Sequence, residues 1–156
     1  MLTRYKKGDV LSIPVVEGRI ALAQVVETLR GNVLLAVFSE LLDADGPRDV
    51  ASLELGEPVF LVETMDQRIK DRTWQIAGNQ EISKDVSIPT YKVWVEPPGE
   101  YRTQDVRGNV GDRIPPERAN GMRHQKSFSP AVVESALRGF HGHGPWVPAF
   151  DELTPL

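Results

Sequence analysis

The sequence predicts an α+β fold in which an antiparallel sheet carries a C-terminal helix. Two observations support this prediction: short apolar runs separated by glycine turns recur over residues 9–106, and one strongly amphipathic run stands at 129–140. The chain has 156 residues, 40% of them apolar, which is enough to bury a core without disulfides, and it contains no cysteine. We therefore predict one domain over 1–156: mostly β over 1–106, a basic loop at 107–128, and a helix with a docked tail at 129–156.

The first three strands are predicted by apolar runs that stand between turns. Gly8-Asp9 is a turn signal, and residues 10–13 form a short strand that we expect Pro14 to end. Residues 19–29 alternate nearer to period two than to 3.6. Residues 33–38 are apolar throughout, as in a strand buried on both faces. Such a meander predicts a curved or SH3-like barrel-type antiparallel sheet.

Shorter β-type runs continue the sheet further along the chain. We predict strands at 59–62, 74–78, 89–95 and 101–106, and a helical turn or a loop at 65–72. Trp74 and Trp94 lie within these runs, so we expect both side chains to belong to the core.

The segment 107–126 is the most basic part of the chain. It carries Arg107, Arg113, Arg118, Arg123 and Lys126 among many Gly, Pro and Asn residues, which predicts a long surface loop. The arginines could grip a phosphate backbone, but Phe128 at the edge is the nearest aromatic residue, so base stacking has little support. A solvated loop is the favoured interpretation.

The clearest helix is predicted at 129–140. Ser129 is a good N-cap, and Pro130 suits the first helical position. The apolar residues of this run fall on one stripe, which we expect to pack on the sheet. The tail that follows contains Trp146 and Phe150, so we expect it to dock as well.

Charge and the distribution of apolar residues exclude several classes of protein. The formal net charge of −4 disfavours general nucleic-acid binding and is compatible with a basic protein partner. Residues 1–10 lack the apolar run of a signal peptide. The longest apolar stretch, 33–38, is far shorter than the ~20 residues that span a bilayer. We expect a cytoplasmic protein with no membrane partner.

Catalytic and metal-binding constellations are weak in this sequence. His141 and His143 could bind zinc with Asp151, but a fourth ligand is missing, and two exposed histidines at a helix exit are the simpler interpretation. The carboxylate pairs Asp43/Asp45 and Glu96/Glu100 could do acid–base work only in a cleft that shifts their pKa values. Phosphate-binding glycine motifs are absent. We therefore predict no catalytic residue, no metal and no cofactor.

An ordered series of residues resembles a known family. The opening series is Lys7, Gly8, Asp9, Ile13, Pro14, Gly18, Ala21, Gln24 and Val25, and it continues with Trp74, Gly78, Pro89, Ser129, Pro130 and Trp146. This order is similar to that of the immunity protein 26 family of bacterial polymorphic toxin systems. The basic segment 107–126 does not match the family pattern. We interpret Gly8, Asp9, Pro14, Gly18, Trp74, Gly78 and Trp146 as fold-forming residues.

The resemblance implies a binding protein rather than an enzyme. Members of such families neutralise the C-terminal domain of a cognate toxin by covering its active site or blocking its substrate. We predict toxin contacts at Asp43, Asp45, Glu96 and Glu100, because these acids would suit the basic cleft of a nuclease. The alternative is a nucleic-acid-binding SH3-like module that uses 107–126. A third interpretation, a small hydrolase using His141, His143 and Asp151, requires a metal.

Overall fold

The computed structural model of the protein describes residues 3–46 and 48–155, and it has the predicted α+β class with mostly sheet and few helices. Contacts divide the chain into two compact units. Unit 1 combines the part up to Val86 with the part from Ser127 onwards, and unit 2 is Ser87–Lys126. The sequence predicts a single domain over 1–156, and this stays a prediction, because two compact units can still belong to one cooperatively folding domain.

The elements of the described residues are as follows. The strands are β1 (Asp9–Val16), β2 (Arg19–Thr28), β3 (Asn32–Val37), β4 (Leu42–Asp43), β5 (Phe60–Met65), β6 (Gln75–Asn79), β7 (Tyr91–Val95), β8 (Glu100–Gln104), β9 (Val110–Ile114) and β10 (Ser127–Phe128). The helices are α1 (Gln67–Lys70), α2 (Pro116–Ala119) and α3 (Pro130–Phe140), with 3₁₀ turns at Val50–Ser52 and Pro148–Leu153. None of the helices in the described ranges has the length and apolar character to span a bilayer.

The sheet of unit 1 is open. Its strand order is β10-β5-β3-β2-β1-β6, with β4 paired to the start of β2. The pairs are antiparallel except for the parallel pair of β10 with β5. Among the described strands β6 and β10 form the two ends and do not pair with each other. The antiparallel sheet is thus present, and the closed barrel is not seen.

Pro14 does not end the first strand, contrary to the sequence-based prediction. β1 continues to Val16, with a register shift between Pro14 and Val16 opposite the start of β2. The pairing of β1 with β6 stops earlier, at Ser12 opposite Gln75. Pro14 therefore lies where β1 is paired on one side only, next to a bulge, and proline is tolerated at such positions because it needs no ladder partner for its missing N–H.

The main core of unit 1 lies between its sheet and α3. Its fully buried side chains include Leu11, Ile13, Leu35, Phe60, Trp74, Val133 and Leu137. The amide of Val132 donates to the Ser129 hydroxyl at 3.4 Å, so the predicted N-cap is in place. The tail docks through Phe150 and Leu153, which are 7% and 0% exposed.

A second, smaller core covers the other face of β1 and β2. It consists of Val10, Ile20, Leu22 and Val50, with Leu42, Leu53 and Leu55 packed against it. The chain between β4 and β5 therefore lies over this face. This arrangement explains why β2 is buried on both faces between residues 20 and 26.

Unit 2 shows that the predicted loop is largely folded. β7, β8 and β9 form a three-stranded antiparallel sheet, and α2 follows it, so β9 and α2 both lie within the segment predicted to be a loop. Among the buried apolar residues, only Ile114 and Ala119 belong to this segment. Two isolated apolar positions do not define a periodic pattern, and β9 forms because it pairs with β8, where Ile114 lies opposite Tyr101. Trp94, predicted in the core, is 51% exposed.

Candidate binding surfaces

The opening motif forms a hydrogen-bonded junction inside unit 1. Gly8 has φ +91°, a backbone conformation that favours glycine. The Asp9 carboxylate accepts from the Lys6 amide at 2.9 Å, as expected of an aspartate in a turn. The buried Gln24 side chain donates through Nε2 to the carbonyl oxygens of Gln80 at 2.7 Å and of Gly8 at 3.3 Å. These residues hold the turn against β2 and the end of β6.

The other motif residues also make contacts within the fold. A Cβ on Gly78 would stand 3.0 Å from the Cβ of Val50, so the absence of a side chain lets the 3₁₀ turn approach β6. The indole of the fully buried Trp74 donates to the Glu134 carboxylate of α3 at 3.0 Å. The Trp146 ring stacks on Phe60 with centroids 6.1 Å apart. Each of these residues thus makes a contact within unit 1, and their interpretation as fold-forming residues stays a prediction.

The predicted contacts Asp43 and Asp45 lie on an exposed acidic segment of unit 1. Asp43 ends β4 and pairs with Arg19, Nε to Oδ1 3.5 Å, where both side chains are largely exposed. Asp45 is exposed in the next turn. We call residues 40–57 the acidic segment; its exposed acids are Glu40, Asp43, Asp45, Asp49, Glu54 and Glu57. Arg48 is its only basic residue.

Half-buried leucines accompany these acids. Leu42, Leu53 and Leu55 line a small cleft together with Leu22 and Phe38, and Glu40 and Glu54 stand at its edge. The acidic segment thus combines partly accessible apolar side chains with a charged rim. This composition is typical of a protein-binding surface, where an apolar centre is surrounded by polar residues.

Glu96 and Glu100 lie in unit 2, at the turn between β7 and β8. Glu96 accepts from the indole of Trp94 at 3.0 Å, and Glu100 pairs with Arg102 at 3.1 Å and is only 16% exposed. Both carboxylates therefore already have partners inside their own unit. The four predicted contact residues are divided between the two units.

The histidines stand at the end of α3 and in the turn after it. His141 packs edge-on against Phe140, and burial lowers its pKa below the ordinary value, with a smaller contribution from His143. The Asp151 carboxylate accepts from the Trp146 indole at 3.0 Å. Across residues 3–46 and 48–155, no three His, Cys, Asp or Glu side chains are grouped to hold a metal ion.

Unit 2 places aromatic side chains beside the basic segment. Trp94 contacts Tyr101 edge to face with centroids 4.9 Å apart, and the Lys92 Nζ lies 5.2 Å from the centre of the Tyr101 ring. Tyr101 also contacts His124, within the segment for which the sequence predicts no interleaved aromatic residue. Unit 2 carries a formal net charge of +2, whereas the rest of the chain carries −6.

A groove in unit 1 was not predicted from the sequence. It has a volume of about 1370 Å³ and is lined by residues 3–5, 29, 31, 66, 69, 70, 72 and 74–76. Inside it the Tyr5 hydroxyl donates to the Asp66 carboxylate at 2.6 Å. Burial, together with the hydrogen bond and the charge of Asp66, raises the pKa of Tyr5. No local pattern could reveal this groove, because its two main walls are about sixty positions apart in the chain.

Comparison with known proteins identifies no relative: no family model, no curated protein and no solved structure matches the chain. The relation to the immunity protein family therefore remains a proposal. Support for this proposal comes from the geometry of the surfaces described above.

Proposed function

We propose that this protein is an immunity protein that neutralises the C-terminal domain of a cognate bacterial toxin by stoichiometric binding. The observation that carries the proposal is the acidic segment, which contains six exposed acids and one arginine. Two of these acids, Glu40 and Glu54, line the same small cleft as its half-buried leucines. Such a surface attracts a basic partner and offers it apolar contact area. A basic nuclease domain is the partner that fits best, because its substrate cleft must attract phosphates.

The ordered resemblance to the immunity protein 26 family supports the same proposal. The motif residues lie at turns and buried contacts, which is where a family's fold-forming residues belong. An SH3-like curvature of the sheet is part of the proposal. Its support is the pair of register shifts in β1 and β2, at Pro14/Val16 and Val25/Glu27, because bulges bend and twist strands.

The proposed mode of action requires no bond to be made or broken. The toxin is inhibited because the acidic segment occupies the surface that its substrate would need, inside the cytoplasm of the producing cell. We place the first contacts at Asp43 and Asp45: Asp45 is exposed, and the Asp43 side chain stays 76% exposed although it pairs with Arg19. Glu96 and Glu100 are secondary contacts, since Trp94 and Arg102 already engage them.

Co-expression tests the proposal directly. The toxin domain encoded beside this gene is expressed from an inducible promoter, with and without this protein, and growth is followed. We expect growth to be restored, and the purified pair to form a 1:1 complex by calorimetry. Continued growth arrest at matched expression of the folded protein would contradict the proposal.

Charge-reversal variants locate the surface. Asp43→Lys with Asp45→Lys should weaken the complex by at least tenfold, since close charge pairs across interfaces contribute about 1.5 kcal/mol or more. Glu81→Lys with Asp85→Lys makes the same change of net charge at exposed residues outside the acidic segment, and should leave affinity nearly unchanged. Equal losses in both double variants would show that only overall charge matters.

A second candidate function is nucleic-acid binding by unit 2. The observation in its favour is the half-exposed Trp94 ring next to Tyr101 and Lys92, in the unit with a net positive charge. Exposed aromatic rings stack on single-stranded bases at about 1–3 kcal/mol each. Filter binding of single-stranded DNA and RNA over a salt series tests it, with Trp94→Ala as the variant. Binding that falls steeply with salt and is lost in Trp94→Ala supports this function, and no measurable binding removes it.

A further inference from the structure

We infer that the groove of unit 1 binds an acidic peptide segment of a protein partner. The groove is distinct from the acidic segment, and the inference does not rest on the toxin-binding proposal. Its floor is apolar: the half-buried Leu29 and Ile76 line it, with the fully buried Ile69 and Trp74 behind them. Its volume exceeds the ~300–1,000 Å³ that is usual for small-molecule pockets, and an open groove of that size suits a chain segment.

The charged residues of the groove are mostly basic. Arg4, Lys70 and Arg72 line it, and Asp66 is the one acid among the lining residues that the structure describes. Asp66 is already engaged, because it accepts from the Tyr5 hydroxyl at 2.6 Å and pairs with the Lys70 Nζ at 3.3 Å. Two guanidinium groups, those of Arg4 and Arg72, remain to attract an anion. A positive groove stands out in a unit whose formal net charge is −6.

Both arginines are available to a ligand. Arg4 and Arg72 are exposed, and neither pairs with a carboxylate in the described part of the chain. The Nε of Arg72 donates to the Thr3 hydroxyl at 2.9 Å, which orients the guanidinium between the two walls. Its terminal nitrogens are left to make the paired contacts to a carboxylate that arginine geometry favours.

The backbone at Arg72 is held in an unfavourable conformation. Its φ of +66° lies in the left-handed region just after α1, where glycine is the usual residue. The amide of Arg72 still donates to the Ile69 carbonyl at 3.1 Å, so the helix end imposes this conformation. An arginine here keeps a cationic side chain at the groove despite the strain, as happens at binding sites.

A peptide fits this groove better than a nucleic acid does. Trp74 is fully buried, so its indole ring cannot stack on a base. The aliphatic floor suits apolar side chains, and the two arginines suit glutamate or aspartate. A peptide segment in which acidic and aliphatic residues alternate can contact both the arginines and the aliphatic floor.

Fluorescence anisotropy with labelled model peptides tests the inference. The probe is a peptide of alternating Glu and Leu, compared with Gln/Leu and Lys/Leu peptides and with single-stranded oligo-dT. We expect saturable binding of the Glu/Leu peptide, at least about tenfold weaker binding of the Gln/Leu peptide, and loss of affinity with added salt. Binding that is equal for the Glu/Leu and Gln/Leu peptides, or absent up to about 1 mM, overturns the inference.

Variants assign the binding to the groove. Arg4→Gln combined with Arg72→Asn removes both charges, and asparagine tolerates the left-handed conformation, so the fold should persist as judged by circular dichroism. We expect at least about a tenfold loss of affinity. Lys84→Gln removes a positive charge from an exposed residue outside the groove and should change little. Unchanged binding in the double variant, or preferential binding of oligo-dT, overturns the inference.

Discussion

The Nε2 atom of Gln24 donates a hydrogen bond to the carbonyl oxygen of Gln80 at 2.7 Å, although 56 positions separate the two residues. The same nitrogen reaches the Gly8 carbonyl oxygen at 3.3 Å. One buried amide in β2 therefore connects the turn before β1 with the end of β6. The contact therefore gives Gly8 and Gln24, two residues of the opening series, a defined role in joining these segments.

Replacing Gln24 by leucine should destabilise unit 1 by about 1–2 kcal/mol. The change keeps the volume and removes a donor from a buried carbonyl oxygen, which costs about 1–3 kcal/mol. Part of the loss is offset because Oε1 of Gln24 is buried without a partner in the described residues. Urea denaturation measures the effect. Gln75→Leu, at an exposed position of β6, is the control, and equal losses would contradict the assignment.

Adding one methyl group at Gly78 should destabilise the protein. The new Cβ of Gly78→Ala would stand 3.0 and 3.1 Å from the Val50 Cβ and Cγ1, so the 3₁₀ turn must move. Overpacking of this kind costs about 1–3 kcal/mol. Gly46→Ala is the matched control, because its nearest neighbours stand at 3.5 Å or more. Thermal and urea unfolding of both variants check the prediction, and a Gly78→Ala protein as stable as Gly46→Ala would refute it.

Glu134 should stabilise α3 through its hydrogen bond with Trp74. Glu134→Ala leaves the buried Trp74 indole N–H without its acceptor and Arg68 without its partner at 3.2 Å, so we expect a loss of about 2–3 kcal/mol. Glu134→Gln keeps an acceptor for the indole and should lose less than about 1 kcal/mol. Urea unfolding followed by tryptophan fluorescence distinguishes them. Similar losses in both variants would show that charge, and not the indole hydrogen bond, is what matters.

Stability should fall as the pH drops from 7 to 5. Burial lowers the pKa of His141 in the folded state, so the unfolded chain binds more protons once the pH falls below the ordinary value of 6.5. The contribution is complete above that pH and decreases as the pH falls towards the folded-state pKa. Its slope cannot exceed about 1.4 kcal/mol per pH unit for one group.

The variant His141→Gln isolates this effect. It should flatten the pH dependence of the free energy of unfolding between pH 7 and 5. The carboxyls whose pKa values are lowered, Asp71 and Asp105, titrate below their ordinary value of 3.8 and do not interfere. An unchanged profile in His141→Gln would assign the dependence to another group.

Local patterns predicted the elements that depend on near neighbours in the chain. β2, β3 and α3 lie within a residue or two of their predicted bounds, because period-two runs and an N-cap are local signals. The exposure of Asp43 and Asp45 also follows from local composition, since a polar turn rarely enters a core. The sequence alone determined this much: an α+β chain with a three-strand opening, a C-terminal helix and an acidic loop.

Tertiary structure decided the rest. Pro14 can lie within β1 because the pairing of β1 with β6 stops at Ser12. The strand β9 forms because it can pair with β8. Trp94 is exposed although the run around it resembles a core strand. The groove exists only because Arg4 and Arg72 come together from opposite ends of a long stretch of chain. Each of these outcomes depends on which distant segments of the chain pack together. The sum of packing and strand-pairing energies over the whole fold decides this, and a local sequence pattern does not contain that information.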